Sequence, residues 1–405
     1  MDRSKRDSGG PCVSGLPALD EPRDMVVARY ITTDADFRNG AAERIVEGLG
    51  HGTEQIARSG GLEVLAASDR LPGQRKPCDL LGHGEAGDGW VYFDVGLPRE
   101  VCDLGRLGFA GLLSFVAGDV FGKAYAHEAL ILTDIALPEH PGPGRMGPQW
   151  GVDGVYEKVG RRSTGGPLLG LLLKPDLGVP PSYYAEVARA AAEGGIDYIK
   201  EDELTLDHAG CPRAERVEAV SRALEPHRGR ILYAANVTGR QSSIAEHARS
   251  AVARGATAVL VNGVLAGLDT VNSLAMDDDV AVPIHLHRAG FDLLASGMRA
   301  IGVPCLTSLF RLAGADVIHV GPVLGDLFSE DTVEENIARL TRDAGIPAAL
   351  PVFSRSCEES IPALASRFGS LPCLLLFDAA VYRSAAGVEG SVRRLRAVAD
   401  RCFPE

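Results

Sequence analysis

From residue 167 onward the chain repeats one unit eight times: a short apolar run, a turn, and an amphipathic stretch. The runs are PLLGLLLK (167–174), IDYIK (196–200), RILYAAN (230–236), ATAVLVN (256–262), VAVPIHLH (280–287), ADVIHV (315–320), ALPVFS (349–354) and CLLLFD (373–378). Helical patterns such as YYAEVARAAAEGG, RAERVEAVSRALE, SIAEHARSAVARG and TVEENIARLTRDAG separate them. Runs that are apolar throughout, not at alternate positions, belong to strands covered on both faces. Eight β-then-α units suffice to close a parallel barrel. The competing arrangement, an open doubly wound sheet, rarely carries so many regular units without a glycine-rich phosphate loop. The fold class is therefore α/β, with a C-terminal (β/α)8 TIM barrel.

Residues 25–136 keep a different rhythm. MVVARYI (25–31), GWVYFDVGL (89–97) and ALILTDIAL (129–137) read as strands. AAERIVEGL (41–49) and the apolar VCDLGRLGFAGLLSFVAG (101–118) read as helices. Such a mixture predicts a small α+β layer of ferredoxin-like type. PEHPGPGRMGPQWG (138–151), dense in Pro and Gly, marks the boundary. The expected domains are a disordered lead-in at 1–24, the α+β domain at 25–150 and the catalytic barrel at 151–405.

Composition narrows the partners. The chain has 405 residues and a net charge of −13, which disfavours a nucleic-acid backbone and favours small molecules. No uninterrupted apolar run reaches the roughly 18 residues that span a bilayer. Its eight cysteines are scattered, without zinc spacing, as in reduced cytosolic proteins. A cytoplasmic enzyme without membrane attachment is expected.

In such barrels the chemistry gathers where strands end. The polar residues there are Lys174, Lys200 with Asp202 and Glu203, Asn236, Asn262, His287 with Arg288, His319, Ser354 and Asp378. Any one of them alone is an ordinary solvated loop residue; together they define one polar cavity. On an extended backbone Lys200 and Asp202, two apart, face the same side. The excess of carboxylates there suits a hard divalent cation, and oxygen donors select Mg²⁺ over zinc.

Several of these motifs resemble the RuBisCO large-chain superfamily. GLLLKPDLGV is similar to its first-strand IKPKLG segment, and GGIDYIKEDE to its GGLDFTKDDE metal segment. HLHRAG, VIHVGPVLGDLFSE and PVFSRS resemble its HIHRA segment, its lid loop and its PVxSGG turn. The resemblance implies that Lys200, carrying a CO₂-derived carbamate, binds Mg²⁺ beside Asp202 and Glu203. It implies that Lys174 handles protons at the substrate oxygens and that His287 is an acid/base or oxygen-binding group. Arg288, His319 and Ser354 would hold a phosphate, with Asn236 and Arg355 as further substrate contacts. A homodimer or larger homo-oligomer follows, its active site at the subunit interface, with Glu47 and Thr53 as contributors from the N-terminal domain.

Departures from the family pattern limit the activity. Asp176 and Asp326 stand where the carboxylating enzymes have lysines, and an anion there opposes a growing carboxylate. Asp119 replaces an asparagine in GDVFGK, where Lys123 offers an alternative base. Ser354-Arg355-Ser356 and Asp378-Ala379-Ala380 replace glycine runs whose bare amides approach a phosphate. These changes argue for a RuBisCO-like protein that enolises a keto-sugar-like substrate with at most one phosphate, without fixing CO₂. Decarboxylation of a sugar-acid phosphate and a non-catalytic binding role are the alternatives. Arg355 pairs with a carboxylate or stays in solvent.

Overall fold

The computed structural model describes residues 16–19, 25–51, 78–99, 103–123, 129–138, 146–325, 327–343 and 345–404. The lead-in expected at 1–24 lies outside them except for 16–19, and so do Thr53 and Asp326. The side chains of Glu47 and Lys123 are also outside. The chain divides into two compact units, Met1–Gly144 with Phe291–Leu306, and Arg145–Gly290 with Thr307–Glu405.

In the first unit β1 (Met25–Thr33), β2 (Asp79–Gly87), β3 (Trp90–Pro98) and β4 (Leu130–Ala136) form an antiparallel layer. β1 is central and buried along nearly its whole length, paired with β3 on one side and β4 on the other. β2 is the exposed edge, and its glycines and charges hide it from a search for apolar runs. The signal for it was the Asp88–Gly89 turn, whose φ values of 48° and 80° are those a tight hairpin requires.

The apolar stretch Leu104–Gly122 is, by length and composition, able to cross a membrane. Its geometry is that of a layer helix: Gly108, at φ 66° and ψ −173°, breaks it. The piece beyond is shorter than the roughly 20 residues a span needs. The Tyr30 hydroxyl of β1 donates to Val116 O at 2.8 Å, tying this piece to the sheet.

The second unit is the expected closed barrel. β5 (Leu168–Leu172), β6 (Tyr198–Lys200), β7 (Leu232–Asn236), β8 (Ala258–Asn262) and β9 (Ile284–His287) follow in parallel register. The chain then leaves the barrel: β10 (Arg299–Ile301) pairs in parallel with β4, giving the first unit the order β10-β4-β1-β3-β2. Residues 291–306, taken from the sequence as barrel, thus belong to the first unit. β11 (Val317–Gly321), β12 (Leu350–Ser356) and β13 (Leu374–Phe377) complete the barrel, β13 closing on β5.

The barrel interior is filled, not hollow. Leu168, Tyr198, Leu232, Ala258, Val317, Leu350 and Leu374 meet Val155 and Tyr156 of the helix Gly151–Lys158. Each fully buried Leu or Val of this kind contributes about 1.5–3 kcal/mol. Gly151 is required where that helix begins, since a Cβ would lie 2.8 Å from Ala348 O. Buried Asp316 accepts from Trp150 N, Gly151 N and Ile284 N at 2.7, 2.9 and 2.8 Å, fixing the plug to the barrel floor.

Candidate active site

The opposite end of the barrel carries the polar strand ends. Lys174 follows β5, and its backbone is clamped by Tyr382, whose hydroxyl accepts from Lys174 N at 3.0 Å and donates to Leu172 O at 2.9 Å. The Lys174 ammonium lies 2.6 Å from Asp176 Oδ1 and 2.7 Å from Asp202 Oδ2. Burial pulls its pKa down, but the two carboxylate contacts outweigh that and raise it. Lys174, expected as the proton-handling amine, is thus held as a cation.

At the end of β6 the three consecutive carboxylates part company. Glu201 turns outward and is fully buried, accepting from Arg216 Nε at 2.8 Å, Tyr233 OH at 2.5 Å and Asn236 N at 2.8 Å. Asp202 and Glu203 stay at the mouth. Asp202 also takes Leu204 N at 2.9 Å on Oδ1. Glu203 Oε2 lies 3.6 Å from Lys200 Nζ and 3.3 Å from His287 Nε2. Lys200 is buried and donates to Glu201 O at 2.9 Å. Burial lowers its pKa against the opposing pull of Glu203 and Asp202.

Asn236, expected among the substrate contacts, is engaged with the loop in this structure. Its amide nitrogen donates to Asp202 O at 2.9 Å and Glu203 O at 3.1 Å, and its oxygen accepts from Thr238 N at 2.9 Å. It holds the two carboxylates in place from below. Asn262 and Asp378 likewise cap the short helices that follow their strands.

Across the mouth, β9 and β11 bring three histidines together. His285 Nε2 and His319 Nε2 are 2.9 Å apart, and the His287 ring packs edge-on to His319 at 5.0 Å. His287 Nδ1 accepts from Ala289 N at 3.1 Å, so a neutral His287 carries its proton on Nε2, facing Glu203. Burial, then the charges of Lys200, Arg288 and Lys174, push His287 down to about 2. Glu203 pulls the other way at 3.3 Å but is half-exposed to solvent screening, so the downward direction prevails. The buried Arg288 guanidinium lies over the Phe328 ring at 4.5 Å. Ser354 is half-buried on β12, and Arg355 beyond it is exposed with φ 55°. Lys123 ends a short helix of the first unit, Val120–Lys123.

The fit to a metal can be judged from the donors. Among the described residues no group of three or more His, Cys, Asp and Glu is placed to hold one. Asp202 and Glu203 could supply two hard oxygen ligands, and each now faces a lysine nitrogen, Asp202 that of Lys174 and Glu203 that of Lys200. The set suits Mg²⁺ when Lys200 itself becomes an anionic oxygen donor, which removes one positive charge and adds the missing ligand.

Comparison with known proteins places the chain in a family. Residues 152–347 match the ribulose bisphosphate carboxylase large chain, catalytic domain. The 2,3-diketo-5-methylthiopentyl-1-phosphate enolase of Geobacillus thermodenitrificans is 29% identical over 93% of this chain and 92% of its own. The 3-oxo-isoapionate-4-phosphate transcarboxylase/hydrolase of Xanthobacter autotrophicus is 31% identical over 74% and 71%. A rubisco-like protein from Alicyclobacillus acidocaldarius superposes with a TM-score of 0.76 at 27% identity, covering 93% of each chain. The chain belongs to the RuBisCO large-chain family, among its RuBisCO-like enzymes.

Sequence reasoning missed four supports of this site. Arg216, Tyr233 and Tyr382 act through contacts distant in sequence, and nothing local announces them. His285 was readable as the first histidine of HLHRAG, two residues before His287 and on the same strand face.

Proposed function

We propose that the protein catalyses Mg²⁺-dependent enolisation or tautomerisation of a keto-sugar-like monophosphate through an enediolate, without CO₂ fixation. The observation that carries this reading is the pairing of Lys174, Asp202, Glu203 and Lys200 beside a neutral His287. Burial favours the neutral Lys200 amine, the form that can add to CO₂ and release a proton as a carbamate forms. When bound, Mg²⁺ would draw charge from two adjacent substrate oxygens and acidify the neighbouring C–H. Lys200, Asp202 and Glu203 are the residues to hold it.

Lys174 releases its proton only when Asp202 is engaged elsewhere, because that carboxylate is half of what keeps it charged. It then takes or returns the substrate proton, with Lys123 as the other candidate base. His287 presents an N–H toward the developing oxyanion side of the mouth. Arg288, His319 and Ser354 receive the phosphate. Both named relatives act, by their names, on phosphorylated compounds, which supports that assignment.

Arg355 favours a second reading. An exposed guanidinium at the end of β12 suits a carboxylate, and loss of CO₂ from a β-keto acid reaches the same enediolate. Exchange of substrate hydrogen in D₂O without loss of carbon marks the isomerase; CO₂ release marks the decarboxylase. Exposed leucines on the segments after β5, β6, β8 and β11 (Leu177, Leu204, Leu265, Leu324) support a homodimer that covers the mouth. A cytoplasmic location fits the unpaired cysteines.

The deciding experiment is calorimetric Mg²⁺ binding with and without bicarbonate, on the wild type and Lys200→Ala. Tightening by bicarbonate that disappears in the variant supports the metal site. No Mg²⁺ binding under any condition removes the enolase mechanism.

A further inference from the structure

Below the mouth, a chain of hydrogen bonds runs through the barrel interior. The Tyr198 hydroxyl lies 3.1 Å from His285 Nδ1, and His285 Nε2 lies 2.9 Å from His319 Nε2. Tyr198 and His285 are 0% exposed and His319 is 5% exposed, so water does not arbitrate their protons. Burial holds both rings neutral, which leaves each with one N–H and one lone pair.

The protons then follow by elimination. A buried hydroxyl left without an acceptor is costly, and among the described residues His285 Nδ1 is the partner of the Tyr198 hydroxyl. Tyr198 therefore donates, and His285 Nδ1 bears the lone pair. His285 must carry its proton on Nε2 and donates it to His319 Nε2. His319 is left protonated on Nδ1, which has no partner among the described residues. The opposite order would strand the tyrosine proton in the barrel.

We propose that Tyr198 is a positioning residue: acting through His285, it fixes His319 as an Nδ1–H donor toward an anionic oxygen of the substrate. The site would accordingly favour an oxyanion that only accepts hydrogen bonds, such as a phosphate dianion. This ligand assignment rests on the phosphate end proposed above; the proton order does not.

The test is ring-nitrogen NMR on metal-free, full-length protein labelled with [¹⁵N]histidine, with signals assigned by His285→Gln and His319→Gln. The expected wild-type pattern is His285 protonated on Nε2 and His319 protonated on Nδ1. Tyr198→Phe should release that order, mixing both tautomers, and weaken inorganic phosphate binding about two- to fivefold as the donor form is depopulated. A wild-type His319 protonated on Nε2 overturns the proposal without any variant. So does a Tyr198→Phe protein whose ring nitrogens are unchanged, even if its phosphate affinity falls, since that loss would be structural. A wild type that binds no phosphate overturns the oxyanion. Failure of the enolase reading is separable, because ring tautomers are read without metal or turnover.

Discussion

The two sides of the barrel mouth handle charge in opposite ways. On the β5–β6 side every charge already has a counter-charge: Lys174 with Asp176 and Asp202, Lys200 with Glu203, Arg216 with Glu201. On the β9–β12 side the neutral rings of His287 and His319 meet edge to face, the Arg288 guanidinium lies over Phe328, and His287 reaches Glu203 across the gap. The first side is an ion-pair network that must be rearranged before it can take a cation. The second is a group of neutral rings and one guanidinium, a set whose chemistry suits an anion better than a cation. A substrate with its reacting oxygens at one end and a phosphate at the other matches that division.

The comparison is most severely strained by Arg216→Met. It leaves Glu201 buried and unpaired behind the loop that carries Asp202 and Glu203, and should cost about 3–5 kcal/mol in chemical denaturation. A loss below about 1 kcal/mol would mean that the network is not what anchors the loop. Next in size is Arg288→Ala, expected to weaken inorganic phosphate about 10- to 100-fold while leaving Mg²⁺ affinity within about twofold. Loss of both would show that the two sides are one.

Acid sharpens the contrast. His285, His287 and His319 are each depressed when folded, His287 to about 2, so below the unfolded value of about 6.5 the unfolded chain binds more protons. Stability should fall as pH drops through that window, by about 1.4 kcal/mol per pH unit for each histidine. Asp316, pushed up to about 6 by burial, acts with the opposite sign between about 4 and 6, where its ionisation on unfolding offsets one histidine. Denaturation midpoints from pH 7 to 5 for the wild type and His287→Gln measure the slope, and the variant should lose one proton's share. The smallest effect belongs to Arg355→Gly. Its left-handed backbone at φ 55° suits glycine, so the variant should gain about 1 kcal/mol in stability and lose affinity for a carboxylate-bearing phosphate such as 3-phosphoglycerate.

The barrel was legible because its strands are apolar without interruption and because glycine and charge punctuate them. The site was legible as far as strand ends are local. Lys200, Asp202 and Glu203 could be placed from IDYIK and the residues after it, but not their partners. That Glu201 would leave for Arg216, fifteen residues on, is a matter of how the following helix lies against the barrel, which periodicity does not encode. Asn236 shows the same limit: the sequence does not announce that its amide holds two backbone carbonyls of the metal-side loop. β10 escaped because three residues are too short to show a period.

That short strand also governs how the chain can be made and cut. During synthesis β4 has its β1 neighbour early, but its other edge must wait until β5 to β9 have all emerged. A fragment ending in the Pro- and Gly-rich boundary would release the first four strands with one ladder open, an invitation to pairing between copies. The N-terminal portion is therefore no transplantable module. Grafting it onto another barrel would demand that the host donate a strand of its own.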